Sequence, residues 1–519
     1  MNSKSRTIWT FVITSVALFM ASLDNLVVAT ALPSIRDHLH ASLEGLQWTV
    51  NAYTLTFAVL LLTGATLGER YGRRRMFVIG LGVFTAGSAA AALAPGIGTL
   101  IAARAMQGVG AAILIPLTLT LLSAAVPPAR RGLALGAWGA VSGLAIAIGP
   151  LVGGAVLEGA SWQWIFWLNV PIGIALLPVA WARLTESHGP ASRLDLPGVA
   201  LASLGLLGIV LGVVRGNDHG WTSMTVLPSM AVGALLVAAF LIWETRAPEP
   251  MLPLRLFRGR GFTMTNVVSL LMFFGMFGSI FLLMQFLQVV QGYSPLQAGI
   301  RTLPWTAMPM LVTPIAGSLS DRIGGRPLLV TGLAMQAIGL GWLAAVASPT
   351  VAYATLVPAF VVAGIGMSLF FAPVANMVLG SVRREEEGIA SGANNAIREL
   401  GGVFGVAVLG AVFSARGGYT SGAAFVTGVS SAVWVGGAVV AVAAAAALAL
   451  PRLRRARATA TATDAAATDA AATDAAATDA AATDAAATDA AATDAAAIGA
   501  AAGVTAAEAE PVPELDLVR

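Results

Sequence analysis

Cysteine is absent from the 519 residues. That excludes a disulfide, a thiolate nucleophile and a Cys-ligated metal. Lysine is nearly absent too: Lys4 stands alone, and no G-x-x-x-x-G-K-[ST] occurs. A phosphate-binding loop needs that lysine, so ATP is not hydrolysed by such a loop in this chain. The four histidines, His38, His40, His188 and His219, all fall between apolar runs. A buried metal centre or histidine proton relay has no residues to build it, and no cofactor is expected. Charged residues make up only 11% of the chain. The arginines are scattered through short loops rather than massed in a stripe, which argues against a nucleic-acid partner despite an isoelectric point near 9.7.

What the sequence has instead is apolar length. Hydrophobic residues are 57% of the chain, and mean hydropathy is +0.81. One soluble core cannot hide that much apolar surface, whereas lipid can. Period-two alternation is missing, so the spanning elements are helices, which satisfy their backbone polar groups internally. Fourteen spans are read near 8–33, 47–67, 76–94, 99–122, 133–157, 162–183, 196–214, 225–244, 262–290, 297–318, 328–347, 352–375, 394–415 and 424–450. The first is too long for a cleaved signal peptide. With the N-terminus in the cytoplasm, the inner loops hold 23 basic residues and the outer loops four. That bias places both termini inside a cell membrane and supports an even span count.

After Arg457 the chemistry changes. Residues 463–497 are seven tandem Thr-Asp-Ala-Ala-Ala units. The chain through Arg457 carries a net charge of +13, and the remainder −10. This tail has no large apolar side chains in its repeats to bury, so it is expected to be a mobile appendage.

Two loops repeat. Leu67-Gly-Glu-Arg-Tyr-Gly-Arg-Arg74 and Leu319-Ser-Asp-Arg-Ile-Gly-Gly-Arg326 both read L-x-[ED]-R-x-G-x-R. They lie on one membrane side but eight spans apart, where two six-span halves would put them six apart. The simplest account is two homologous halves with two helices inserted between them, and a substrate site at the interface of the halves. The expected division is 1–184 for the first six-helix bundle, 185–260 for the inserted pair, 261–450 for the second bundle and 451–519 for the basic segment and tail.

Four further motifs follow in order: Leu23-Asp24-x-x-Val27-Val28-x-x-Ala31-Leu32-Pro33, Leu100-x-x-x-Arg104-x-x-Gln107-Gly108-x-Gly110, Gly149-Pro150-x-x-Gly153-Gly154 and Trp162-Gln163-Trp164-Ile165-Phe166-x-x-Asn169-x-Pro171-x-Gly173. On these and the loop repeat, the chain from Leu23 to about Leu450 resembles the major facilitator superfamily, and within it the fourteen-span drug:proton antiporters. The resemblance implies an all-helical fold of two six-helix bundles plus two helices. It also implies export of amphipathic small molecules in exchange for protons, and an antiporter motif at Gly149, Pro150, Gly153 and Gly154. Glu69 stands where the family usually has Asp, Ala65 and Ala145 where it often has Gly.

Asp24 reads as the one acid well inside an apolar span, with Glu158 and Glu244 near span ends. An ionisable group at that depth is costly and marks a pathway by default. Arg104 is its basic counterpart on the fourth span, at a depth differing by only about 6 Å. Both are expected to face the central cavity and to couple protons to transport. Glu69, Arg70, Gly72 and Arg73, with Asp321, Arg322 and Arg326 of the second copy, are read as a cytoplasmic gate in which the acid sits against a helix N-terminus or a neighbouring arginine. Gln47, Trp48, Asn51, Tyr53, Gln285, Gln288, Trp305, Phe370, Phe371, Asn376, Asn394 and Asn395 are candidates for a mostly apolar substrate cavity, and equally for inter-helix contacts. The implied partners are a small-molecule substrate, protons and the lipid bilayer. A dedicated exporter of one metabolite and a non-transporting sensor stay open at this point. An enzyme lacks its chemistry, having neither paired carboxylates nor an intramembrane histidine.

Overall fold

Long apolar runs make long helices, and the computed structural model describes them over residues 3–127, 131–189, 194–383 and 386–451. The repeat tail lies outside the described residues. The helices are α1 (Ser3–Leu39), α2 (Leu43–Tyr71), α3 (Arg73–Ala92), α4 (Ile97–Ala125), α5 (Arg131–Gly159), α6 (Trp164–Trp167), α7 (Asn169–Arg183), α8 (Leu196–His219), α9 (Val226–Arg246), α10 (Arg260–Gln285), α11 (Pro295–Thr306), α12 (Met308–Ile323), α13 (Gly325–Val346), α14 (Tyr353–Gly380), α15 (Glu387–Arg416) and α16 (Gly422–Ala447). No strand occurs among the described residues. Among the described residues, thirteen segments are long and apolar enough to cross a membrane, with α6 and α7 sharing one of them. The fourteenth position is filled by α11 and α12, which meet at Ala307. Prolines at 304, 309 and 314 crowd that joint, and each removes a backbone donor.

Helix pairing repeats itself. In the first six spans α1 packs on α5 and α4, α2 and α3 on α4, and α3 on α7. In the last six α10 packs on α15 and α14, α12 and α13 on α14, and α13 on α16. The loop repeat is structural as well. Gly72 joins α2 to α3 with φ +102°, and Gly324 joins α12 to α13 with φ +87°. Both lie where a β-carbon is sterically penalised, so glycine alone gives a one-residue joint there. Each also closes the preceding helix, Gly72 N–H donating to the Gly68 carbonyl at 3.1 Å and Gly324 N–H to Ser320 at 2.9 Å.

Two helix pairs form the seam between these groups: α2 with α15, and α5 with α11. At the second, small residues let backbones touch. A β-carbon on Gly154 would stand 2.5 Å from the Pro295 carbonyl oxygen, and one on Gly299 2.3 Å from that of Pro150. On its other side α5 presents Gly149 to Leu26 and Gly153 to Val27 of α1. Polar contacts across the seam run from mid-membrane to the face carrying the α1–α2 loop. Thr306 donates to the Ala147 carbonyl at 3.1 Å, Gln47 to Val406 at 3.0 Å and Ala407 at 3.1 Å, and Gln288 to Thr30 at 2.9 Å. At that face the Arg36 guanidinium lies 3.4 Å over the Tyr419 ring. Towards the opposite face, Asn376 and Asn395 are exposed.

The inserted pair leans on this seam. α8 packs against α9, α2 and α15. Arg215 of α8 pairs with Glu44 of α2 at 2.7 Å, while Asn217 donates to the Ala411 carbonyl of α15.

Candidate coupling site

Asp24 and Arg104 meet, as their matched depths imply. Arg104 Nη1 donates to Asp24 Oδ2 in a pair closed to solvent, with residue exposures of 3% and 0%. Asp24 Oδ1 accepts from Asn169 Nδ2 at 2.8 Å and from Gln107 Nε2 at 3.2 Å. Gln107 also accepts from Arg104 Nη1 at 2.9 Å and donates to Ser88 Oγ at 2.8 Å. Arg104 Nε donates to the Thr49 carbonyl at 3.1 Å, and its guanidinium lies 4.4 Å over the Tyr53 ring. Five helices, α1, α2, α3, α4 and α7, thus converge on one charge pair. Three side-chain donors meet the carboxyl, so both its oxygens are engaged. Arg104 Nη2 keeps no partner among the described residues.

The expectation that both residues face the central cavity needs correction. They sit inside the first group of helices, behind Tyr53, because the apolar surroundings leave each charge no better partner than the other. Buried pairs of this kind are held by mutual need: removing one partner strands the other charge. Gln107 and Asn169 belong to the motifs quoted above, but their role as ligands of Asp24 was not legible from spacing.

The loop gate also differs from expectation. The acid at a helix N-terminus is Glu186, from the segment after α7. It accepts from the N–H groups of Arg74 at 2.9 Å and Arg75 at 3.2 Å, and its carboxylate lies 3.7 Å from Arg74 Nε. Those amides are unpaired donors in the first turn of α3, where negative charge is favoured. Glu69 meets the same segment through its backbone, its carbonyl accepting from Gly189 N–H at 3.1 Å, and Arg73 N–H donates to the Ser187 carbonyl at 2.9 Å. Arg70 and Arg322 are exposed, and Arg73 and Arg326 half-buried. The Asp321 side chain lies outside the described residues.

The cavity candidates scatter. Gln47 and Gln288 seal the seam, and Trp48 packs among Val210, Val214, Val403 and Ala407 of α8 and α15. Asn51 is fully buried with both amide atoms unpartnered. Tyr53 donates to the Ala21 carbonyl at 3.3 Å. Gln285 accepts from the Tyr419 hydroxyl, Asn394 donates to Asn266 at 3.0 Å, and Trp305 is buried against Phe360. Only Phe371, Asn376 and Asn395 lie partly or fully open on α14 and α15, with Phe370 buried behind them.

One group was missed. α15 begins at Glu387, seven residues before the expected span, so Arg398 and Glu399 lie not near its start but near the middle of a 30-residue helix. Asp24 is therefore not the sole deep acid. Arg398 Nη1 donates to Asn395 at 3.2 Å, and its guanidinium lies 4.4 Å from the Phe273 ring centre and 5.4 Å from that of Phe371. Glu399 Oε2 is sealed from solvent with no hydrogen-bond partner among the described residues.

Many spanning helices in two similarly packed groups, with a buried charge pair beside a seam closed at one face, define a secondary membrane transporter rather than an enzyme. The chain belongs to the Major Facilitator Superfamily, whose sequence profile matches residues 14–406 and 302–506. Among its relatives, the multidrug resistance protein Stp of Mycobacterium tuberculosis is 36% identical over 408 residues, covering 78% of this chain and 76% of the relative. The tetracenomycin C resistance and export protein of Streptomyces glaucescens is 32% identical over 411 residues, covering 79% and 76%. The methylenomycin A resistance protein of Streptomyces coelicolor is 35% identical over 407 residues, covering 78% and 85%. The fold matches solved transporters at low identity. A bacterial homologue of the human lysosomal transporter Spinster has a TM-score of 0.63 at 16% identity, covering 86% of this chain and 97% of its own. The nucleoside transporter NupG has a TM-score of 0.61 at 11%, covering 86% and 99%.

Proposed function

We propose that this chain exports amphipathic small molecules, antibiotics among them, in exchange for protons, by alternating access in the cell membrane with both termini cytoplasmic. The observation that carries the reading is the buried Asp24–Arg104 pair beside a seam tied at the face carrying the α1–α2 loop. An ion pair at bilayer depth is retained where charge must move. The names of the relatives, which speak of resistance and export, support the cargo class. Arginine bias supports the orientation, which makes the sealed face extracellular and this state open to the cytoplasm. The repeated helix pairing supports two bundles, 1–184 and 261–450, rocking about the seam with 185–260 inserted. Glu69, Arg70, Gly72, Arg73, Asp321, Arg322 and Arg326 form the cytoplasmic gate, with Glu186 as its clasp. Gly149, Pro150, Gly153 and Gly154 keep α5 close to both α1 and α11. Phe371, Asn376 and Asn395, partly or fully open on α14 and α15, would meet the substrate on the cytoplasmic side.

In this scheme Asp24 and Arg104 couple protons to transport by parting and re-pairing. Asp24→Asn in membrane vesicles tests it, with substrate-induced proton movement as the readout. A well-inserted Asp24→Asn protein with wild-type coupled transport removes Asp24 from the mechanism. Resistance that survives a protonophore removes proton drive altogether. Export of a single compound is the second reading, favoured by the two relatives named for one antibiotic each.

A further inference from the structure

Asp24 is poorly placed to meet a substrate. Both its oxygens are engaged, and Arg104, Gln107 and Asn169 wall it in. Glu399 is the opposite case. It sits twelve residues into α15, about 18 Å along the helix at 1.5 Å per residue. Its carboxylate oxygen Oε2 has no partner.

Apart from the charge of the adjacent Arg398, the surroundings of Glu399 offer little relief. Its neighbour Arg398 points about 100° away around the helix, towards Phe273 and Phe371. α2, α8, α10, α14 and α16 pack against α15. Their acids and bases lie at their ends, far from this depth: Glu44, Glu69 and Arg70 on α2, Arg215, Asp218 and His219 on α8, Arg260 on α10. On α2 the titratable side chain away from the helix ends is Tyr53, whose hydroxyl donates to the Ala21 carbonyl at 3.3 Å.

An unsatisfied carboxylate in an apolar span is costly, and either a proton or a cation relieves it. One oxygen cannot take both well. We infer that Glu399 is the exchange site of this transporter, where a lipophilic organic cation and a proton compete. The inference deepens the function proposed above and rests on it. When the cation leaves, an O–H bond forms on Glu399 with a proton drawn from the side then open. When the next cation binds, that proton is released to the opposite side.

The test uses the full chain in liposomes with ethidium as the probe, measuring ethidium-driven proton movement and the infrared carboxyl band over a pH titration. Glu399→Gln is expected to lower the proton movement by more than about tenfold, with Glu399→Asp keeping part of it. Ethidium is expected to displace the proton from a carboxyl band that Glu399→Gln lacks. Unchanged exchange in Glu399→Gln overturns the inference, as does a band indifferent to ethidium in a wild type that exchanges ethidium for protons. If Glu399→Gln fails to insert, the band must shift between wild type and Glu399→Asp, and an unshifted band overturns it. A wild type that exchanges protons for uncharged compounds but never for ethidium overturns this inference while leaving the proposed function standing. A wild type that moves no protons with any substrate removes both.

Discussion

Gly154 of α5 and Pro295 of α11 approach so closely that a single added β-carbon would stand 2.5 Å from the proline carbonyl oxygen. No rotamer change relieves a clash with backbone. Gly154→Val should therefore force the seam apart in this state while leaving each bundle intact. The expected outcome is a normally inserted protein whose transport is lost and whose cytoplasm-open state is depopulated, read by accessibility labelling on both faces.

The absence of cysteine makes the seam easy to probe. Gln288 Nε2 lies 2.9 Å from the Thr30 carbonyl oxygen. The single replacement Gln288→Cys should react slowly with a water-soluble thiol reagent while this face is closed, and faster once added substrate drives alternation. One unchanging labelling rate with and without substrate would show that this face does not close as described.

Removing one member of the buried pair should cost more than removing both. Asp24→Ala strands Arg104, whose Nη2 already lacks a partner, and the expected loss is about 3–5 kcal/mol. Asp24→Ala with Arg104→Leu should recover much of that stability in detergent melts without recovering transport. Equal melting of the single and double variants would contradict the pairing.

Glu186 gives a smaller, local prediction. Its carboxylate supplies the cap of α3 through the Arg74 and Arg75 amides. Glu186→Ala should cost about 0.5–2 kcal/mol, the usual range for a lost N-terminal cap. Hydrogen exchange should quicken at the start of α3 and over the 186–189 segment, with α4 and α5 unchanged.

Much of the architecture could be read from apolar length, because only helices tolerate lipid on all sides. The two single-glycine joints followed from the repeated L-x-[ED]-R-x-G pattern, and the Asp24–Arg104 pair from matched depth. Other features depend on the third dimension. Glu399 escaped notice because the first turns of α15, Glu387 to Asn395, are polar. Hydropathy therefore placed the helix start too late and put the acid near an end. Glu186 escaped because the chain returns from α7 to cap a helix more than a hundred positions earlier. The substrate candidates were chosen by residue type, which does not distinguish Gln288, closing a seam, from Asn395, exposed towards the opposite face.

α8 touches both sides of the seam, through Glu44 on one and the Ala411 carbonyl on the other. Any rocking that parts α2 from α15 must then either drag α8 along with one partner or snap one of these two ties. The inserted pair behaves as a hinge pin on one flank of the cleft, while the α5–α11 flank has no such bar. Two bundles that repeat each other's packing are thereby given a lopsided gait.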